Sequence, residues 1–177
     1  MRHAFEEGNG MKDILKKIDS IKTKIDAHRP LDSHMVRELR EYFRIGLTYT
    51  SNTLEGNSLT ETETKIVIVD GITIGGKPLK DHLEALGHSE AYDLLFRLAK
   101  RQNITESNIK ELHRLFYYRI DENHAGKYRQ QRVIITGTDF LPPAPDKIPA
   151  LMQNFAHDLP GKRKKNHPVE FAAIIHR

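Results

Sequence analysis

Four isoleucines, Ile14, Ile18, Ile21 and Ile25, recur at intervals of four, three and four. That is the period of an α-helix with one apolar stripe, and a strand cannot use it. The same period returns along most of the chain, which predicts an all-α fold. The first helix spans about 12–27 and ends at His28-Arg29-Pro30, because the residue before a proline is pushed out of the helical region. Asp32 or Ser33 caps a second helix carrying Met35, Leu39, Tyr42, Phe43 and Leu47, with Gly56-Asn57 as its stop. Thr60-Glu61-Thr62-Glu63 is a capping box that opens a third segment through Val69. After a loop over 70–78, a long helix is expected over 79–101, where Gly87 marks a close helix crossing. Thr105 caps a helix over 106–119, Asp146 one over 147–158, and Pro168 opens a last one over 168–177.

The period changes once. Arg132-Val133-Ile134-Ile135-Thr136-Gly137-Thr138-Asp139-Phe140 places β-branched residues around a glycine, which predicts a short β-hairpin. Leu141-Pro142-Pro143-Ala144-Pro145 follows as a stiff connector.

Composition narrows the function classes. Cysteine is absent, so there is no disulfide framework, no thiolate metal site and no cysteine nucleophile. Lys plus Arg is 28 against 24 Asp plus Glu, a net charge of only +4. The one tight basic cluster, Lys162-Arg163-Lys164-Lys165, lies between Pro160-Gly161 and Asn166-His167-Pro168 and is expected to be a solvated loop. It has no interleaved aromatics for bases to stack on, which argues against a nucleic-acid partner. No apolar run reaches the roughly 18 residues of a membrane span, and the charged N-terminus lacks a signal peptide's apolar stretch. The expectation is a cytoplasmic protein with no membrane partner.

Two motifs fail on inspection. Gly71-Ile72-Thr73-Ile74-Gly75-Gly76-Lys77 matches the first seven positions of a phosphate loop, but the magnesium-ligating Ser or Thr is replaced by Pro78. The ten histidines include no His-Glu-x-x-His, and His82 and His88 are six apart, on different helix faces, so no metal site is expected.

The informative stretch is Ser51-Asn52-Thr53-Leu54-Glu55-Gly56-Asn57. It sets a hydroxyl and a carboxylate at i and i+4, just before a helix stops. A carboxylate at a helix C-terminus faces the negative end of the dipole, so a cationic partner is expected; plain solvation of Glu55 is the simpler alternative.

Here the sequence resembles the Fic (Fido-fold) family, in the subgroup with an N-terminal inhibitory helix. Ser51 to Gly56 fits that subgroup's [Ser/Thr]-x-x-x-Glu-[Gly/Asn]. Gly76 to Glu84 with Gly87-His88-Ser89-Glu90-Ala91 resembles the family's first core helix. Leu112-His113 and Gly126-Lys127-Tyr128-Arg129 resemble the approach to its flap, Val133 to Thr138 and Pro142-Pro143 the flap and its exit, and His167 to His176 the helix before the catalytic loop. The resemblance covers about residues 35–177. It implies a helical domain with a small hairpin flap, divided as an N-terminal helical segment (1–30), helices carrying the inhibitory motif (31–75) and an incomplete Fic core (76–177).

The family's signature, His-x-Phe-x-[Asp/Glu]-Gly-Asn-[Gly/Lys]-Arg, is absent, so no catalytic or metal-binding residue is assigned, and these 177 residues alone are expected to be inactive. The helix at 168–177 shows no stop signal, and the chain is read as ending before the catalytic loop. A complete member would use ATP and Mg²⁺ to transfer AMP to a Ser, Thr or Tyr hydroxyl of a target protein. The resemblance makes Glu55 a brake that pairs with an arginine of the missing motif in the ATP γ-phosphate space, with Ser51 steadying it and Gly56 ending the helix. In some members the same glutamate instead assists AMP removal. Ile134, Ile135, Thr136, Gly137 and Thr138 would hold the target segment as an added strand; a hairpin that only packs is the alternative. The isoleucine stripe leaves docking and homo-oligomerisation both open. The contrasting reading of the whole is a non-catalytic protein-binding module derived from a Fic domain.

Overall fold

The structure is a computed structural model that describes residues 2–101 and 103–176, with side chains described from residue 10 onward. Among the described residues, seven α-helices form in chain order: α1 (Arg2–Asp26), α2 (Ser33–Leu54), α3 (Glu61–Lys65), α4 (Leu79–Leu98), α5 (Glu106–Tyr117), α6 (Ile148–Lys165) and α7 (Pro168–His176). A π-helical segment, Ile66–Asp70, extends α3, and a 3-10 turn, Pro145–Lys147, leads into α6. No strand occurs among the described residues.

The helix starts follow their local chemistry. The Asp32 carboxylate accepts from the His34 and Met35 amides at 2.9 and 2.8 Å and starts α2. Thr60 and Thr105 each accept from the amide three residues on, while the side chain there accepts in return. Such reciprocal caps satisfy amides that a helix start would leave orphaned.

The chain divides into two compact units. One comprises Met1–Glu38 and Gly161–Arg177. In it the start of α7 is pinned to α1: His167 Nδ1 accepts from the Val169 amide, so Nε2 carries the proton that it shares with Asp19 at 3.1 Å. The other unit is Leu39–Pro160. Its core is small: Leu59, Val67 and Ala85 are buried, with Ile74 and Leu86 packed against them.

α4 and α5 cross at Gly87. A Cβ there would lie 2.3 Å from the Phe116 carbonyl oxygen and 3.0 Å from that of Leu115. Only a residue without a side chain lets the two backbones come this close. Beyond α5, Arg119 forks onto Glu90 of α4 at 2.5 and 2.9 Å, and this contact, ahead of opposing desolvation, holds the Glu90 carboxyl below its usual range.

Two expectations are corrected. The hairpin at 132–140 keeps its turn, with Gly137 at φ 82°, but has no ladder. Its apolar side chains face solvent, Ile134 being 80% exposed, and a lone two-stranded hairpin is marginal in water without a packed face. The basic run is helical: α6 continues through Pro160 to Lys165. Proline removes one bond, to the Ala156 carbonyl, and an α-helix normally stops there. Lys162 to Lys165 compensate by placing cations at the negative end of the helix dipole, and the Asn166 side-chain amide caps the Lys162 carbonyl at 2.7 Å.

Candidate functional site

α2 presents a polar stripe to α4. Arg40, Arg44, Thr48 and Asn52 follow one another at intervals of four, so they share a face. Arg40 meets Asp93 at 2.5 Å, and Arg44 donates to the Ser89 hydroxyl at 3.1 Å. Thr48 is fully buried, and its hydroxyl has no hydrogen-bond partner among the described residues. Asn52 Oδ1 lies 2.9 Å from His88 Nδ1, while the Asn52 side-chain NH₂ is buried without a partner. His88 packs edge-on against Phe116, and burial pushes its imidazole below the usual 6.5. The apolar side of α2 faces outward: Tyr42, Phe43, Leu47 and Leu54 are exposed.

The stripe ends at the predicted motif. Leu54 is the last helical residue, and Gly56 turns left-handed at φ 89°. The Gly56 amide donates to the Thr53 carbonyl and the Asn57 amide to the Asn52 carbonyl, at 3.1 and 3.0 Å. This is a Schellman stop, which needs a residue that tolerates positive φ. Glu55 occupies the C-cap and is exposed, and its carboxylate has no hydrogen bond or ion pair among the described residues. Ser51 is half-buried on the last turn, and Ser51 and Glu55 make no hydrogen bond to each other.

What holds this stop in place follows it directly, and spacing alone did not reveal it. The Asn57 side-chain amide donates to the Asp81 carbonyl and the Glu84 carboxylate at 3.1 and 2.9 Å, and its Oδ1 accepts from the Leu59 amide at 3.0 Å. The Asp81 carboxylate accepts from the Ser58 amide and hydroxyl at 2.8 and 2.6 Å. Burial pushes the Asp81 carboxyl up, but the two Ser58 bonds outweigh it and hold the group below its usual range. The end of α2 is thereby stitched to the start of α4. The hint was an asparagine directly after the glycine stop.

The flap residues Ile134, Ile135, Thr136, Gly137 and Thr138 are all exposed and lie apart in sequence from Ser51, Glu55 and Gly56. Their approach is tied to α5. The Gly126 amide donates to His113 Nδ1 at 2.8 Å. The Tyr128 hydroxyl donates to Glu106 at 2.7 Å under the Lys110 ammonium, which sits 4.1 Å from the ring centre. Burial, followed by the Glu106 carboxylate, pushes the Tyr128 phenol up to about 12.

Among the described residues, no three His, Asp or Glu side chains come together as a metal would require. Lys77, the lysine of the phosphate-loop lookalike, is bonded to the Ser58 carbonyl and lies 3.5 Å from Glu63. The Ile74 amide is likewise taken, by His82 Nε2 at 2.8 Å.

Comparison with known proteins decides the family. Residues 103–177 match the Fic/DOC family. The protein adenylyltransferase Fic of Nematostella vectensis is 33% identical over 168 residues, 93% of this chain and 38% of its own length. The chain belongs to the Fic/DOC family. The protein adenylyltransferase Fic of Drosophila mojavensis is 31% identical over 92% of this Fic chain and 32% of its own length. The chain therefore spans about a third of the curated relatives it matches. Among solved structures, a Fic domain containing signaling protein from Bacteroides thetaiotaomicron is 29% identical, with a TM-score of 0.79 over 90% of this chain and 62% of that one. Fic-1 (residues 134–508) from C. elegans superposes with a TM-score of 0.80 over 96% of this chain and 50% of its own, at 24% identity, which speaks for the fold.

Proposed function

We propose that this chain is the regulatory and target-holding part of a protein adenylyltransferase, which transfers AMP from ATP to a hydroxyl of a protein. The supporting observation is Glu55: an exposed carboxylate without a partner among the described residues, fixed at a helix C-cap by the Schellman stop and the Asn57 and Ser58 bonds to α4. A carboxylate so placed is held ready for a guanidinium, and Arg–carboxylate forks are among the stronger polar contacts. In this reading, the arginine belongs to the family's catalytic motif, which lies outside these 177 residues. Glu55 engages it and takes the space of the ATP γ-phosphate. Ser51 lines the last turn beside it, and Gly56 fixes where the helix ends. ATP and Mg²⁺ bind through residues of that motif, and they supply the activated AMP group.

The flap carries the second part of this reading. The backbone of Ile134 to Thr138 has no ladder partner among the described residues, so its amides and carbonyls are free to pair with an extended segment of a target protein.

Glu55→Gly tests the brake. In an adenylyltransferase built on this sequence together with a Fic catalytic motif, labelled-AMP incorporation should rise by about tenfold or more, the worth of one charge-assisted contact. Incorporation equal to the parent's would remove Glu55 from regulation.

A further inference from the structure

The segment that approaches the flap ends in an arginine whose two arms point to different places. Arg129 Nη1 donates to the Gln131 carbonyl at 2.7 Å. Its Nη2 donates to the Pro143 carbonyl. Gln131 precedes the flap and Pro143 follows it, so one guanidinium bridges both ends of an 11-residue segment, 132–142. Among the described residues, no backbone hydrogen bond joins the two arms. The local bond from the Phe140 amide to the Thr138 hydroxyl, at 3.1 Å, stays within one arm.

We propose that Arg129 is a positioning residue that clamps the base of the flap and thereby sets the geometry in which a target segment pairs with it. This rests on the reading of 134–138 as the target-holding strand.

The chemistry favours arginine for the task. The guanidinium is a rigid planar fork, always charged, with separate N–H groups for two carbonyls at once. A lysine ammonium is a point charge on a flexible stem and does not fix the angle between two acceptors. Each side of the segment has its own restraint. Pro142-Pro143 restricts φ on the far side, so the Pro143 carbonyl has few directions to point. On the near side, Gly126 and Tyr128 fasten the strap to His113 and Glu106 of α5. The clamp is therefore referenced to a helix rather than to another loop. A segment without a ladder keeps its ends together only if something else closes it, and the closure entropy of a loop this long is modest enough for such a contact to offset.

The chain has no cysteine, so two spin labels can be placed cleanly. Arg132→Cys and Leu141→Cys lie on opposite arms and are exposed. Electron–electron double resonance on the 177-residue chain should give one narrow distance distribution. Arg129→Ala should broaden it, with the helical circular dichroism spectrum retained. Arg129→Lys keeps the charge and the stem and should still broaden it, and it serves as the milder variant if the alanine substitution disturbs folding. An unchanged distribution in Arg129→Lys or a folded Arg129→Ala overturns the clamp. The functional half is read separately, in an adenylyltransferase built on this sequence. There Arg129→Lys should raise KM for the protein target about tenfold, leaving kcat and KM for ATP as they were. Broadened distances with an unaltered target KM would overturn the assignment of the flap to the target while leaving the clamp in place. A fall in kcat with target KM unaltered would overturn the positioning role.

Discussion

Single residues carry constraints here that their types alone would not suggest. Gly87 is the sharpest case. Helix propensity favours alanine over glycine by about 1 kcal/mol, so Gly87→Ala should stabilise an isolated helix. In the fold a Cβ would meet the Phe116 carbonyl at 2.3 Å, with backbone rather than a yielding side chain on the other side. Overpacking of this kind costs about 1–3 kcal/mol, occasionally more, and α4 and α5 would have to separate. The expected outcome is a net loss of stability of about 2 kcal/mol, measured by urea unfolding. A melt equal to the parent's would mean that the two helices are not in contact at this point. Gly56 is constrained by conformation rather than space: nothing lies near its Cβ position, but φ is 89°. Asn57 and Arg129 are ordinary surface types that each tie two separated points together.

At the scale of elements, the contact between α2 and α4 is polar where helix packing is usually apolar. Long side chains bridge the gap, and the buried end of the stripe has an asparagine and a histidine facing each other. This makes α2 sensitive to acid. Burial lowers the His88 imidazole from 6.5, so the unfolded chain binds a proton at higher pH than the folded chain does. The unfolded state then holds more protons as pH falls below about 6.5, and stability must drop. The contribution is intact above that value and is gone once pH has passed through the depressed folded value. Unfolding followed between pH 7.5 and 5 should show the parent losing stability where His88→Gln loses less. The difference between the two proteins isolates this group from the other histidines, and parallel curves would show that His88 is not buried when folded. The nearby groups facing His88 are Asn52 and Phe116, neither of which titrates in this range.

At the scale of the whole molecule, the balance between buried and exposed apolar residues is unusual. Ile45, Leu59, Val67, Ala85, Leu98, Ala125 and Leu159 are buried, whereas Leu39, Tyr42, Phe43, Leu47, Leu54 and Leu79 are exposed. Hydrophobic burial is the main favourable term in folding, and the short list of buried apolar residues among those described supplies little of it. The 177-residue chain by itself should bind 8-anilinonaphthalene-1-sulfonate at these exposed faces and unfold cooperatively at a low temperature. A calorimetric transition at high temperature without dye binding would contradict this account of its packing.

The sequence by itself determined the helices and most of their starts and stops, although α1, expected from about residue 12, begins at Arg2. Those signals act within one turn: the Thr60 and Thr105 boxes, the Asp32 cap, and Gly56 in its left-handed stop all depend on neighbours a few residues away. It also marked Ser51, Glu55 and Gly56 as a unit, because their spacing and the helix end coincide. The tertiary structure alone decided the rest. The Asn57 and Ser58 bonds to α4 join residues more than twenty positions apart, a relation no local period encodes. The flap shows the same limit from the other side: β-branched residues around a glycine favour a hairpin, but a ladder needs a packed face, and none is present. At Pro160 the local signal for a break was overruled by the cations and the asparagine cap that favour the last turn of α6. Local chemistry chooses the conformation of a segment; which segments meet, and which groups are left free to act, follows from how they pack.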